Sequence, residues 1–254
     1  MRLIINADDF GASEGINNNI LKLHKLGVVS STTIIANGSC FKSAVDISKD
    51  NPNLGIGIHL CLDGPFNIGK DYNTILDKNT NQFYNSNQII KKLREFKVEE
   101  SEIYKEYSLQ IEKVLDHQIK ISHLDTHHHL HVLPLTLKSM IKAAKKYNIH
   151  YIRSEKMYFR DNQSISNYLL RYAHQIFLKI RIKAIDGIFE PGITKHSNYE
   201  DCYLRLSKLV MLNDKTIEIV LHLNDTNPEI SFFTSERVLS LLSKNNIINY
   251  HDLH

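Results

Sequence analysis

Five of the chain's 14 histidines, together with one aspartate, fall in the nine residues His123-Leu124-Asp125-Thr126-His127-His128-His129-Leu130-His131. Neutral imidazole is the commonest protein metal ligand, and His and Asp carry much general acid–base chemistry. The segment follows Lys120-Ile121-Ser122 and precedes Val132-Leu133-Pro134, which predicts a strand running into a loop. Alternate residues of a strand share a face. His123, Asp125 and His127 are therefore expected to point one way, and Leu124, Thr126 and His128 the other. A surface tract or tag is a poorer reading, since the run is internal and interrupted by Leu, Asp and Thr.

A second acidic feature opens the chain: Leu3-Ile4-Ile5-Asn6-Ala7-Asp8-Asp9-Phe10-Gly11. An apolar strand ends in two adjacent carboxylates, which repel each other. One Asp would serve a strand-to-helix cap; two call for a cation. Further candidates are His59, in Gly57-Ile58-His59-Leu60, and His222, in Val220-Leu221-His222-Leu223.

The elements that must position these residues alternate between strand and helix. Strands are predicted at 3–7, 28–36, 54–62, 119–127, 150–154 and 216–223, with a weak one at 184–189. Helices are predicted at 13–26 (Ser13 before, Gly27 after), 41–48, 99–115, 134–147, 165–182, 199–211 and 235–244. Residues 63–98 are polar, with few periodic apolar positions, and read as an insertion that could cover a site. Such alternation implies a mostly parallel sheet with helices outside. About seven strands suit an irregular (β/α) barrel, a single domain over 1–254, with chemistry at the strands' carboxyl ends. Asp8, Asp9, His59, Asp125, His127 and His222 all fall at or near such ends.

Composition excludes several function classes. Hydrophobic content of 42% and charged content of 23% are those of a globular chain. A net charge of +3 with scattered basic residues does not suit nucleic-acid binding, and Lys179–Lys183 reads as one face of a helix. No apolar run reaches the ~18 residues of a membrane span. Three irregularly spaced cysteines, Cys40, Cys61 and Cys202, give no disulfide framework and suit a reducing, cytoplasmic compartment. Cys61 reads as a small buried hydrophobe. A homodimer is the default expectation for assembly.

One carboxylate and two imidazoles form the ligand set of an open catalytic metal site. Asp9, His59 and His127 supply it. Asp8 is then the expected general base and His222 the acid for a leaving amine, on the side opposite the base. Asp125, His123 and Arg153 are expected behind the ligands or against substrate, Asp125 orienting a ligand imidazole.

The motifs Asn6-Ala7-Asp8-Asp9-Phe10-Gly11, Gly57-Ile58-His59-Leu60 and His123–His131, with Val29–Gly38, resemble the YdjC-like carbohydrate deacetylases, which include the chitooligosaccharide deacetylase. The resemblance runs from residue 3 to about 155 and more faintly beyond. It implies a deformed (β/α) barrel, a divalent metal and removal of an N-acetyl group from an amino sugar. Its metal histidines match His59 and His127, its metal aspartate Asp9, and its base Asp8. The family's late His-Pro pair departs here to His222-Leu223. The resemblance implies Mg2+, whereas the ligand types also suit Zn2+ or Mn2+. Two alternatives remain: a metal-dependent phosphoesterase, disfavoured because Asp-Asp stands where a His-x-His is expected, and a non-catalytic carbohydrate- or metal-binding protein, which would need no Asp8.

Overall fold

The computed structural model describes residues 1–159, 165–224 and 228–253. In chain order the elements are β1 (Arg2–Phe10), α1 (Glu14–Lys25), β2 (Ser31–Ile34), α2 (Phe41–Asp50), β3 (Gly55–Leu60), β4 (Leu76–Asp77), β5 (Gln82–Phe83), α3 (Ser86–Arg94), α4 (Glu100–Asp116), β6 (Ile121–Thr126), α5 (Pro134–Lys146), α6 (Ile165–Arg181), β7 (Gly187–Phe189), α7 (Tyr199–Val210), β8 (Thr216–Leu221), α8 (Glu229–Phe233), α9 (Glu236–Leu242) and β9 (Asn246–Ile247). The main sheet is parallel, in the order β6-β3-β2-β1-β8-β7, and β9 pairs with the start of β1. Bridges from Leu124 to Ile152 and from Met157 to Ile188 carry the curl toward closure. The irregular barrel expected from the alternation is the fold observed.

Strand alternation sorts the core. Leu3, Ile5 and Ala7 of β1, Ile56 and Ile58 of β3, Leu124 of β6, and Ile217 and Ile219 of β8 face the helix layer, in one apolar core. The opposite face of these strands and of β2 is polar and equally buried: Asn6, Asp8, Thr33, His59, His123, Asp125 and Glu218. Burying so many polar groups is costly unless each finds a partner, so this interior must be knit by hydrogen bonds. Its base is closed by the chain end. Tyr250 stacks on His123 at 3.7 Å between ring centroids and donates from its hydroxyl to Glu218 at 2.6 Å. Gly57 makes room for that stack: a Cβ there would lie 2.4 Å from His123 Cε1.

Ser13 caps α1, its hydroxyl accepting from Ile16 N–H at 3.2 Å, and Gly27 follows with φ +72°. Three expectations are corrected. Residues 150–154 form isolated bridges rather than a strand. Residues 63–98, expected to be polar with few periodic apolar positions, carry a core of their own: they hold the β4–β5 hairpin and α3, and bury Tyr72, Ile75, Leu76, Phe83, Ile89 and Leu93. Buried Glu106 of α4 ties them down, accepting from the amides of Ile68 and Gly69 and from the Tyr72 hydroxyl. The third concerns β6, which ends at Thr126. His127–Val132 form a 3-10 turn in which His128 and His129 take left-handed φ of 54° and 53°. Alternation therefore stops before His127, and His128 does not point away from it.

Among the described residues no helix is long and apolar enough to cross a membrane. The cysteines are unpaired, Cys61 being buried with its thiol on the His59 carbonyl. The Lys179 side chain lies outside what is described; α6, which contains it, ends at Arg181.

Candidate active site

Two adjacent strand residues should point to opposite faces, yet Asp8 and Asp9 both serve the barrel mouth. The pairing of β1 with β2 slips between Ala7 and Phe10, and Asp9 takes φ +67°. An extra residue of this kind re-aims a side chain. Asp8 stays inward and buried, while Asp9 turns to the rim with Oδ1 3.5 Å from His59 Nε2.

Below the rim lies a charge cluster built on Arg153, which is fully buried. Its guanidinium grips Asp8 through two bonds, Nη1 to Oδ2 at 2.9 Å and Nη2 to Oδ1 at 2.7 Å. It also donates to Glu218 Oε1 and sits 2.7 Å from Asp125 Oδ2. Asn6 donates to Asp8 Oδ1 at 2.9 Å. Burial alone would raise the Asp8 pKa, but Arg153 and His59 outweigh it and hold the carboxyl well below its ordinary range. Asp125 is lowered against burial by the same two cations. Glu218 goes the other way: burial pushes it up to about 7 despite Arg153 and Tyr250.

Each rim imidazole is aimed by a buried carboxylate. His59 Nδ1 lies 2.7 Å from Asp125 Oδ1, and His127 Nδ1 lies 2.8 Å from Asp63 Oδ1. A carboxylate can only accept, so the proton of each ring is on Nδ1 and Nε2 is left for another partner. Burial would lower the His59 pKa, but Asp125 and Asp8 raise it to about 9. The two rings stand 5.6 Å apart between centroids. Asp9 Oδ1 is buried and accepts no hydrogen bond among the described residues. Two tighter groups of acids and imidazoles exist, Asp8–His59–Asp125 and Asp63–His127–His128, with potential ligand atoms within 4.8 Å of one another. Their facing atoms are already bonded to each other or to Arg153. Among the described residues no hydrogen bond is made by Asp9 Oδ1 or by the Nε2 atoms of His59, His127 and His128, and of these rings it is His127 that packs against His59. Asp9, His59 and His127 are not among the groups whose ligand atoms come within 4.8 Å of one another, but a carboxylate oxygen 3.5 Å from an imidazole nitrogen is a donor set that fits a divalent cation, which would displace the proton that the raised pKa keeps on His59.

His222 follows β8, and the register Ala7 with Leu221 makes it the neighbour of Asp8. Its Nε2 lies 3.8 Å from Asp8 Oδ2, and its ring is about half exposed. This corrects the expectation of an acid across the cleft from the base: β8 adjoins β1, so the two groups sit side by side. His123 and Arg153 are both closed to solvent, so neither has surface to offer a substrate. Arg153 instead holds Asp8 and Asp125, and His123 packs on Tyr250 one layer down.

Asp63, Glu218, Glu155 and Glu229 escaped the sequence reading. Glu155 is buried among His129, His131 and Arg171. Glu229 accepts the His222 amide at 2.8 Å. Burial raises its pKa to about 7 against that bond. An unfolded glutamate titrates near ~4.3, so between those values the folded chain keeps a proton that the unfolded chain has lost. Stability from this group is complete below the unfolded pKa and is lost as pH rises through about 7. Glu229→Gln retains the acceptor and removes the titration. Its Tm is expected to fall less than the native Tm between pH 5 and pH 8; parallel curves would refute this.

This chain is similar to curated proteins named carbohydrate deacetylase. The one from Listeria monocytogenes serotype 4b is 30% identical over 259 residues, covering 100% of both chains. The one from Brevibacillus brevis is 35% identical over 149 residues, 59% of this chain and 58% of that protein. Among solved structures, one from Enterococcus faecalis, provisionally assigned to cellobiose-phosphate cleavage, superimposes with a TM-score of 0.78 at 25% identity, covering 99% of this chain and 98% of that one. The YdjC-like protein family matches residues 2–248, from β1 to β9 and so across every residue of the rim, and the chain belongs to that family.

Proposed function

We propose that this chain is a metal-dependent hydrolase that removes the N-acetyl group from an N-acetylated amino sugar, with short chitooligosaccharides the first substrates to try. The observation that carries the reading is Asp9 Oδ1, a buried carboxylate oxygen with no hydrogen bond among the described residues, 3.5 Å from His59 Nε2. The relatives named carbohydrate deacetylase support the reaction class.

Asp9, His59 and His127 would hold one divalent cation, which supplies polarisation of the amide carbonyl and acidification of a bound water. Magnesium is the metal the family resemblance implies; two imidazoles beside one carboxylate suit zinc or manganese better, since magnesium favours oxygen ligands and keeps its waters. Asp8 takes the proton of the attacking water. The two bonds from Arg153 fix the carboxylate and keep it ionised. His222, beside Asp8, delivers a proton to the leaving nitrogen as the tetrahedral intermediate collapses. Asp125 orients His59.

Released acetate is the decisive measurement, made on a panel of N-acetylhexosamines and chitooligosaccharides with metal content determined on the same sample. Release of phosphate from sugar phosphates, with no acetate, would support the phosphoesterase alternative; sugar binding with neither product would support a non-catalytic protein. His222→Ala is expected to lower kcat more than it raises KM and to abolish or displace the alkaline limb of the pH profile. A variant that loses only thermal stability and keeps that limb would remove His222 from the chemistry.

A further inference from the structure

Asp63 is buried at the end of the third strand's turn, with 3% of its side chain exposed, and both its oxygens are spoken for. Oδ1 accepts from His127 Nδ1 at 2.8 Å, and Oδ2 accepts from His128 Nδ1 at 2.6 Å. Consecutive residues seldom present their side chains to one group. Here the left-handed backbone of His128 (φ 54°) folds the second ring back onto the first, 3.9 Å apart between centroids. A non-glycine residue in this region is uncommon and costs energy, so the double contact offsets it. Phe66, three residues beyond Asp63, packs edge-on to His127 at 6.0 Å. The residues leading into the insertion thus enclose the His127 ring from two sides.

We propose that Asp63 is a positioning residue that fixes the tautomer and pitch of two imidazoles at once, keeping Nε2 of His127 free for the metal while His128 occupies the second carboxylate oxygen. This rests on the reading of His127 as a ligand. The alternative use of the group is as a separate cation site, since Asp63, His127 and His128 bring ligand atoms within 4.8 Å of one another. The contacts of 2.6 and 2.8 Å are those of charge-assisted hydrogen bonds, which favours the positioning role.

Asp63→Asn is the informative variant because it keeps shape and alters bonding. A carboxamide has one acceptor oxygen and one donor nitrogen. It can accept from one ring, but it must donate to the Nδ1 of the other, forcing that proton to Nε2. Nitrogen-15 NMR of the metal-free protein, with both rings neutral, should show Nδ1–H on His127 and His128 in the native chain. In Asp63→Asn one of the two should be displaced to Nε2–H. Cobalt(II) titration followed by absorption should give an affinity about 10–100-fold weaker for Asp63→Asn, the usual cost of losing such a partner. Activity should return substantially at saturating metal. His128→Ala should bind cobalt within about threefold of the native chain.

Equal cobalt affinity and unchanged tautomers in Asp63→Asn would overturn the proposal. So would a loss in His128→Ala as large as in Asp63→Asn, which would make His128 a ligand. Two native cobalt equivalents, of which Asp63→Asn loses one, would make Asp63 a ligand of its own site. A native protein that takes up no cobalt would overturn the reading of the rim as a metal site as well as this inference, whereas native uptake with an unaltered Asp63→Asn variant overturns this inference alone.

Discussion

Asp9→Ala, His59→Ala and His127→Ala are each expected to remove bound metal and to reduce acetate release to background, a larger loss than the roughly 10²–10⁴-fold expected for a general base. The three residues come from three segments, and each contributes an atom with no hydrogen bond among the described residues. Asp9→Ala removes the carboxylate oxygen that accepts no hydrogen bond among the described residues. When metal is absent that variant should change Tm little, because the deleted oxygen accepts no hydrogen bond among the described residues while its charge still faces His59 at 3.5 Å, two effects of opposite sign. His59→Ala differs: it leaves Asp125 without the imidazole at 2.7 Å and should also lower Tm. Metal analysis, acetate release and Tm on the same samples separate these effects. Full metal content in any one of the three variants would strike that residue from the ligand set. The control, His128→Ala, should retain metal because the proposed ligand set draws on His127, whose ring stands 5.6 Å from His59 between centroids, and does not include His128. The reason is not the one strand alternation suggested, which had the side chain facing away.

The rim was legible in the sequence because ligand-type residues stood at the ends of segments with clear strand or helix periodicity. Asp8, Asp9, His59, Asp125 and His222 each follow an apolar run that packs against the helices, and a parallel sheet sends such ends to one side. What was not legible depends on single backbone choices. The bulge at Asp9 turns two neighbours toward one site, and nothing in Ala-Asp-Asp-Phe marks which residue takes φ +67°. The turn after Thr126 gathers His127 and His128 on one carboxylate, whereas a period of two sends them apart. Asp63 sits in Leu-Asp-Gly, which reads as a turn at a strand end, and its partners are 64 and 65 residues distant. Glu218 alternates with apolar residues in Thr-Ile-Glu-Ile, a pattern that does not separate a solvent face from a polar interior. It points into a polar interior that is itself buried, closed from below by Tyr250. The elements within 63–98 were not legible for a related reason: the apolar residues Ile75, Leu76, Phe83, Ile89 and Leu93 follow no single period, because they come from a hairpin and a short helix.

Asp8→Asn is the sharper test of chemistry, and its outcome depends on Arg153. The substitution keeps size and can still accept from one guanidinium nitrogen, but it cannot take a proton from water. Metal content should stay near native, since Asp8 is not among the atoms left free at the rim, while kcat falls by roughly 10²–10⁴-fold. The change also alters a buried charge balance. Arg153 now faces Asp8, Asp125 and Glu218. With Asp8 neutral, Asp125 and Glu218 remain, so the guanidinium is still compensated and the fold should persist. Arg153→Ala is the opposite case. It leaves Asp8 and Asp125 buried without their cation, a loss of the kind that costs about 3–5 kcal/mol, and should reduce Tm sharply along with activity. A low kcat in Asp8→Asn, with metal and Tm retained, therefore isolates the proton-accepting step from both metal binding and folding. If Asp8→Asn releases the metal while Asp9→Asn keeps it, the two aspartates have exchanged roles, and the bulge at Asp9 serves the base rather than the ligand.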